Sequence, residues 1–326
     1  MKLDKDIIGM LHIPVNTILA APAEWRAQLG LPSADDNDRN ILAGFAAWTA
    51  RASKLVRERV LAAAEAVKKL SFYGYLRDRM FSEASVYARN GVDVFMLENI
   101  GAPYFLLPEP IQGGIAAVMM TLSAELRREY PTSERRIGLQ ILAYSDPLAM
   151  SVACFAGLDF IRSEGALFEG ERPEGRNSNT GTLAKLYFQR AALAGDGVAP
   201  RVYVDLQKKH TVFSDRLRDL GIWLDNVVFQ KLEGVIITGT GTGVPVVEAD
   251  LANTRKILDI SKSKSFFPKD LDLPLIAGSG VNVENSAMYK KYVDAVIAGS
   301  IFKHHGYWEC GVDEESVAKF MEVWKQ

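Results

Sequence analysis

Cysteine is almost missing from this chain: Cys154 and Cys310 are the two it has in 326 residues. Two thiols cannot build a disulfide framework, which excludes a small cross-linked secreted scaffold and points to a reducing compartment, most simply the cytoplasm. Long apolar runs are missing as well. Stretches such as Ile7 to Leu11 and Val235 to Ile237 fall far short of the roughly 20 residues a membrane span needs. The opening residues Met1-Lys2-Leu3-Asp4-Lys5-Asp6 lead straight into a strand-like stretch and carry acids that transit peptides avoid, so no targeting segment is expected. Neither sign of charge is in excess. Lys and Arg number 38 against 40 Asp and Glu, a net charge of -2, and they are well mixed. That leaves no basic face for counterion-driven nucleic-acid binding, so a small molecule or a protein is the expected partner.

What the chain does have is 48% hydrophobic and 24% charged residues, enough for one large α/β barrel or two ordinary domains. Short β-branched runs recur at Ile7 to Ile13, Val92 to Glu98, Ile137 to Ala143, Phe160 to Ser163, Arg201 to Leu206, Gly234 to Thr238, Leu273 to Ala277 and Ala295 to Ala298. Their near-continuous apolar character suits parallel strands buried on both faces, and the segments between them have helical lengths. The expected fold is therefore α/β, a single (β/α)₈ TIM barrel over residues 1–326. Asp93, Asp159, Glu233 and Asp294 each stand at the start of an even strand, a position at the N-terminal face that reads as stability rather than chemistry.

Between strands one and two, about 80 residues replace the usual short connection. This insertion, about 20–80, reads as helical: Ile41, Phe45, Trp48, Ala52 and Leu55 recur at helical spacing, and the helix continues through Val60 to Leu70. Asp38 or Asn40 is the expected cap, and Ser82 to Asn90 the helix that feeds strand two. Its Phe and Trp stripe needs a partner surface, whether the barrel wall, a lid contact or a homodimer interface.

Two glycine-rich strand ends carry the strongest local signal. Pro274 to Val281 and Ala295 to Lys303 both finish an apolar strand in small residues, as the last two strands of the series. Backbone N–H groups approach an anion closely there, so Gly278, Ser279, Gly280, Gly299 and Ser300 are the candidate phosphate cradle. Thr238 and Thr240, in the loop Thr238 to Gly243, are candidate ligand contacts; the loop lacks the spacing of a nucleotide fingerprint. Ionisable groups gather at other strand ends. Glu98 and Asp205 are candidate acid–base groups; Lys209 and His210 are candidates to stabilise charge or shuttle a proton; His12, Asn99, Arg162 and Glu164 are candidates to hold the substrate. Asp205 reads equally as the acid of a structural ion network with Lys208 or Arg162. No cofactor is evident. His12, Glu98, Asp205 and His210 also compose an oxygen and nitrogen set for a divalent ion, without the short spacing that marks such sites.

The order Ile8-Gly9-Met10-Leu11-His12-Ile13-Pro14, Gly91-Val92-Asp93 with Glu98-Asn99, and Asp159-Phe160-Ile161-Arg162 resembles the BtpA family, also called BtpA/SgcQ. The likeness continues through Asp205-Leu206-Gln207-Lys208-Lys209-His210, Ile237 to Pro245 and Gly278-Ser279-Gly280-Val281, and spans nearly the whole chain. It implies a barrel related to ribulose-phosphate-binding folds, which include isomerases, epimerases, lyases and synthases of phosphorylated sugars. Two associations come with the family: photosystem I biogenesis in cyanobacteria, and a bacterial gene cluster for sugar metabolism. The sequence departs from the family in its long insertion and in Ser163-Glu164-Gly165, where an asparagine is expected near Glu164. The expected activity is acid–base chemistry of isomerase, epimerase or lyase type on a phosphorylated sugar or nucleoside-derived small molecule. The alternative is a non-catalytic assembly or stability factor of the photosystem I biogenesis kind.

Overall fold

Strand pairing closes on itself. In the computed structural model, which describes residues 3–13, 38, 64–101, 109–143, 145–168, 170–172, 175–176, 182–193, 199–241, 243–264, 272–278 and 280–326, eight parallel strands form a closed barrel. They are β1 (Asp6–Ile13), β2 (Val94–Asn99), β3 (Arg136–Gln140), β4 (Phe160–Ser163), β7 (Arg201–Leu206), β8 (Gly234–Ile237), β9 (Leu275–Ala277) and β10 (Ala295–Ala298). Each matches one of the apolar runs in the sequence. A short antiparallel pair, β5 (Glu171–Arg172) with β6 (Gly175–Arg176), stands outside the barrel in the segment after β4, which the sequence presents as a polar loop.

Helices fill the connections: α1 (Tyr73–Arg89), α2 (Glu109–Glu129), α3 (Asp146–Ala156), α4 (Thr182–Leu193), α5 (Leu220–Phe229), α6 (Glu248–Ser263), α7 (Ser286–Tyr292) and α8 (Glu314–Lys325). α1 starts nine residues before the expected Ser82, because Tyr73, Leu76, Met80, Glu83, Ala84 and Tyr87 make one buried stripe at helical spacing. Most of the insertion, including Asn40, Phe45 and Trp48, lies outside the described residues. Its last part is helical over 64–67 and then turns, so the helix expected through Leu70 stops short. Asp38 is buried, and its carboxylate accepts from the Ser71 backbone N–H at 3.1 Å and the Ser71 hydroxyl at 2.6 Å; the helix start it is expected to cap lies outside the described residues. Among the described residues no helix is long and apolar enough to cross a membrane, and both cysteines are free thiols.

Side chains alternate along each strand between the barrel interior and the helices. Ile8, Met10, Val94, Met96, Phe160, Tyr203, Ile236, Ile276, Ala295 and Ile297 form an inner cluster, whereas Ile7, Leu11, Phe95 and Leu97 join the layer under the helices. Phe160 and Tyr203 stack inside with ring centroids 4.9 Å apart. Gly138 and Gly234 make room for them, since a Cβ at either would strike one of these rings.

At the N-terminal end the four acids staple neighbouring strands. Asp93, Asp159, Glu233 and Asp294 accept backbone N–H groups from Ile7, Ile137, Val202 and Leu275 respectively. Arg127, Arg190 and Arg255, one from each of α2, α4 and α6, pair with the last three acids. Partly buried, charge-assisted bonds of this kind are among the stronger ones a protein makes, and their place opposite the mouth fits a stabilising role.

Candidate active site at the barrel mouth

The inward parity of the strands decides which side chains meet at the C-terminal end. Two residues on from Met10 on β1 is His12; two on from Met96 on β2 is Glu98; two on from Phe160 and Tyr203 are Arg162 and Asp205. Gln140 on β3, Thr238 after β8, Gly278 after β9 and Gly299 after β10 complete the series by the same count. Register brings His12, Glu98 and Gln140 side by side, because His12 pairs with Glu98 and Glu98 with Gln140.

Above this layer is a cavity of about 510 Å³, walled by His12, Glu98, Arg162, Glu164, Lys208, Lys209, His210, Gly278, Gly280, Gly299 and Ser300 together with apolar residues including Met10, Ile100, Leu142, Ile301 and Trp308. That volume suits a small metabolite. The wall thus holds ten of the fifteen candidate residues. Asn99, Asp205, Thr238 and Thr240 are not part of it, and Ser279 lies outside the described residues.

His12 and Glu98 form a pair, with Nε2 to Oε2 at 3.4 Å. Burial pushes the imidazole of His12 down, outweighing the carboxylate beside it, so His12 is neutral. Burial would push Glu98 up, but the hydrogen bond of His12, the charge His12 gains at the low pH where Glu98 titrates, and the positive charges of Arg162 and Lys208 together hold it below the usual glutamate value. Glu98 therefore carries the negative charge of the pair. His12 Nδ1 is buried and has no hydrogen-bond partner among the described residues.

The other acids are engaged. Asp205 is fully buried and accepts Arg162 Nη2 at 2.9 Å and Nε at 3.2 Å, while Lys208 Nζ stands 3.1 Å from its second oxygen. Of the two readings its sequence left open, the geometry matches the ion network. Lys208 also meets Glu164 at 2.6 Å, and Glu164 accepts from Gln140 Nε2 at 2.8 Å. Asn99 is a clamp on the neighbouring loop: its amide donates to Leu142 O at 3.1 Å and accepts from Leu142 N at 2.7 Å. Asp146 ties down the end of β4, accepting from the Ser163 hydroxyl and the Glu164 and Gly165 N–H groups. Burial, opposed by those bonds and helped by Glu164, raises its carboxyl to about 6. Sequence reasoning missed Gln140 and Asp146; the parity of Gly138-Leu139-Gln140 was the signal for the first.

Burial first, then the charges of Lys208 and Arg162, lower the ammonium of Lys209 to about 8. The loop that presents it is tightly kinked, with Gln207 at φ 46° and His210 at φ 61°, both in the left-handed region. Gln207 braces it by donating to Leu217 O and Arg218 O at 2.9 and 2.8 Å. His210 is exposed at the rim.

The glycines divide by what their backbones do. Gly278 N–H donates to Ile237 O at 2.7 Å, so it is not free for an anion, and the missing side chain leaves room for Arg162. Gly280 has φ 68° and is pressed on the Val244–Pro245 backbone, so its role is packing of two loops. Asn282 and Asn285 staple this turn reciprocally, each accepting the other's N–H. Gly299, Ser300 and Ile301 are different: they line the cavity, and among the described residues no group accepts from their N–H groups. An anion is held more naturally there than at Gly278. No three His, Cys, Asp or Glu side chains among the described residues group as a metal site, and Asp205 is already engaged by two cations.

The relatives leave the reaction open. A Caenorhabditis elegans protein, "Uncharacterized protein F13E9.13, mitochondrial", is 31% identical over 244 residues, 74% of this chain and 81% of that one. An uncharacterized protein of Archaeoglobus fulgidus is 27% identical over 252 residues, 76% of this chain and 89% of its own. Among solved structures, phosphoribosyl anthranilate isomerase from Thermus thermophilus has a TM-score of 0.41 at 10% identity, covering 74% of this chain and 92% of that one. Tryptophan synthase subunit alpha from Campylobacter jejuni has a TM-score of 0.44 at 16% identity, covering 74% and 88%. Likenesses of that size transfer no activity, and the fold stands on the strand pairing of this chain itself. The profile of the BtpA family matches residues 71–326, and the chain belongs to the BtpA family.

Proposed function

We propose that this chain is an enzyme that moves a proton beside a carbonyl group in a phosphorylated sugar or nucleoside-derived small molecule, chemistry of isomerase, epimerase or lyase type. The observation that carries this reading is one cavity lined both by an ionised Glu98 and by Gly299, Ser300 and Ile301, whose backbone N–H groups have no acceptor among the described residues. Glu98 takes the proton, and neutral His12 fixes its carboxylate. Lys209 and His210 stabilise the oxygen on which charge develops, and the N–H groups hold the phosphate. Arg162 and Asp205 serve as a buried brace that keeps the β4 and β7 ends in place. The two free thiols suit a reducing, cytoplasmic setting, which is part of the same proposal.

The test is exchange. The protein is incubated in D2O with a panel of aldose and ketose phosphates, and loss of the proton next to the carbonyl is followed by NMR. Exchange is expected on at least one compound and should fall about 10²–10⁴-fold in Glu98→Gln, the range a general base contributes. Equal exchange in that variant would remove Glu98 from the chemistry, and no exchange on any compound would remove the reaction class.

A further inference from the structure

We propose that Lys209 is a nucleophile that bonds covalently to the substrate, forming an imine with its carbonyl carbon, so the substrates are aldehydes or ketones rather than esters or amides. This rests on the reading of the cavity as a phosphate-binding carbonyl site and deepens it.

Placement argues first. Lys209 lies in the same cavity wall as Glu98 and the Gly299–Ile301 turn, on a loop whose two left-handed residues, Gln207 and His210, bracket it. Backbone held in sparsely populated regions persists where surrounding contacts fix it, and such positions cluster at functional sites. Here the Gln207 side chain supplies that fixing. The neighbouring charges argue second. Lys208 is tied to Glu164 and Asp205, and Arg162 to Asp205, so two cations stand permanently near Lys209. Glu98 and Asp205 oppose them without cancelling, and the ammonium is lowered to about 8. An amine beside other cations in a desolvated pocket is the usual way to make lysine nucleophilic.

The step balances without an oxidant or reductant. The unprotonated Nζ adds to the carbonyl carbon, a C–N bond forms, and the C=O π pair moves to oxygen. That oxygen takes up a proton and the nitrogen loses one, with Glu98 as the relay. A second proton, taken from solvent, lets the hydroxyl leave as water, and the nitrogen lone pair closes the C=N bond. The resulting iminium accepts the electron pair released when Glu98 removes the adjacent proton, which leaves an enamine and a protonated Glu98. Glu98 returns a proton to carbon and restores the iminium; water adds to it and expels Lys209 Nζ, giving the product carbonyl and releasing the proton to solvent.

Pyridoxal 5′-phosphate and pyridoxal test this, each mixed with the wild-type protein at pH 7.5, reduced with borohydride and mapped by peptide mass spectrometry. A lysine with a pKa of about 8 is about a quarter unprotonated at that pH, against about one part in a thousand for an ordinary lysine, so label on Lys209 should exceed that on solvent lysines by at least about tenfold. Labelling by the phosphorylated probe that inorganic phosphate suppresses supports both the nucleophile and the phosphate reading. Equal labelling of Lys209 by both probes, insensitive to phosphate, supports the nucleophile and overturns the phosphate site. Binding of the phosphorylated probe, seen as a thermal shift, with no label on Lys209 overturns the imine and leaves the phosphate site standing. Label no greater on Lys209 than on surface lysines, without such a shift, overturns the proposal.

Discussion

Replacing Asp205 with alanine should cost this protein more stability than any other single change at the mouth. The carboxylate is fully buried, it holds Arg162 through contacts of 2.9 and 3.2 Å, and it shares Lys208 at 3.1 Å. Lys208 keeps Glu164, but Arg162 is left as a buried cation without that counter-charge. Breaking a buried pair by removing one partner costs about 3–5 kcal/mol. Unfolding entropy of about 2.1 cal/mol/K per residue, taken over 326 residues, gives about 0.7 kcal/mol/K, so Tm should fall by about 4–7 °C. Differential scanning calorimetry reads this directly. Removing both charges, as Arg162→Met with Asp205→Leu, should recover most of the loss, since an apolar pair of similar volume often does as well as a buried ion pair. A drop below about 1 °C for Asp205→Ala, or a double variant as unstable as the sum of the singles, would refute the brace and return Asp205 to the pool of acid–base groups.

Two further outcomes follow from the same geometry. Gly280→Ala should destabilise the fold by more than about 1 kcal/mol, because φ is 68° and a Cβ would strike the Val244–Pro245 backbone, whereas Gly299→Ala meets its nearest neighbours, Met10 and His12, at an ordinary 3.5 Å and should cost clearly less. Urea denaturation of the two variants separates the roles, and equal losses would count against the division. Asp146 should titrate near 6 by carboxyl NMR. Its folded value lies above the unfolded one, so the native state binds the extra proton. The penalty, about 3 kcal/mol, is full above pH 6 and is relieved as pH falls toward 4. A midpoint at or below 4 would contradict that environment.

Much of the fold could be read from the chain because parallel barrel strands are apolar on both faces, which makes Ile7 to Ile13 or Ala295 to Ala298 stand out as runs. The acids Asp93, Asp159, Glu233 and Asp294 were legible as a repeat, since each must meet the N–H of a neighbouring strand at a fixed point. Side-chain pairing was less legible. Spacing placed Asp205 and Arg162 at strand ends but could not tell a carboxylate aimed at substrate from one closed by two cations. Gly278 and Gly299 look alike in sequence, yet one N–H is spent on Ile237 and the other, in the cavity wall, has no acceptor among the described residues. That difference depends on strand register, which no local pattern carries.

The most direct test of the central claim is a thermal shift of the wild type and of Gly299→Asp with phosphate and a set of sugar phosphates. A compound at a hundredfold excess over its Kd adds about 2.7 kcal/mol to the native state, which for a chain of this size is about 4 °C. The added Cβ meets Met10 and His12 at an ordinary 3.5 Å, and the substitution brings a carboxylate to the turn that holds the phosphate. A shift of that size in the wild type and none in the variant is the predicted result; no shift with any phosphorylated compound, or an equal shift in both proteins, would contradict the account.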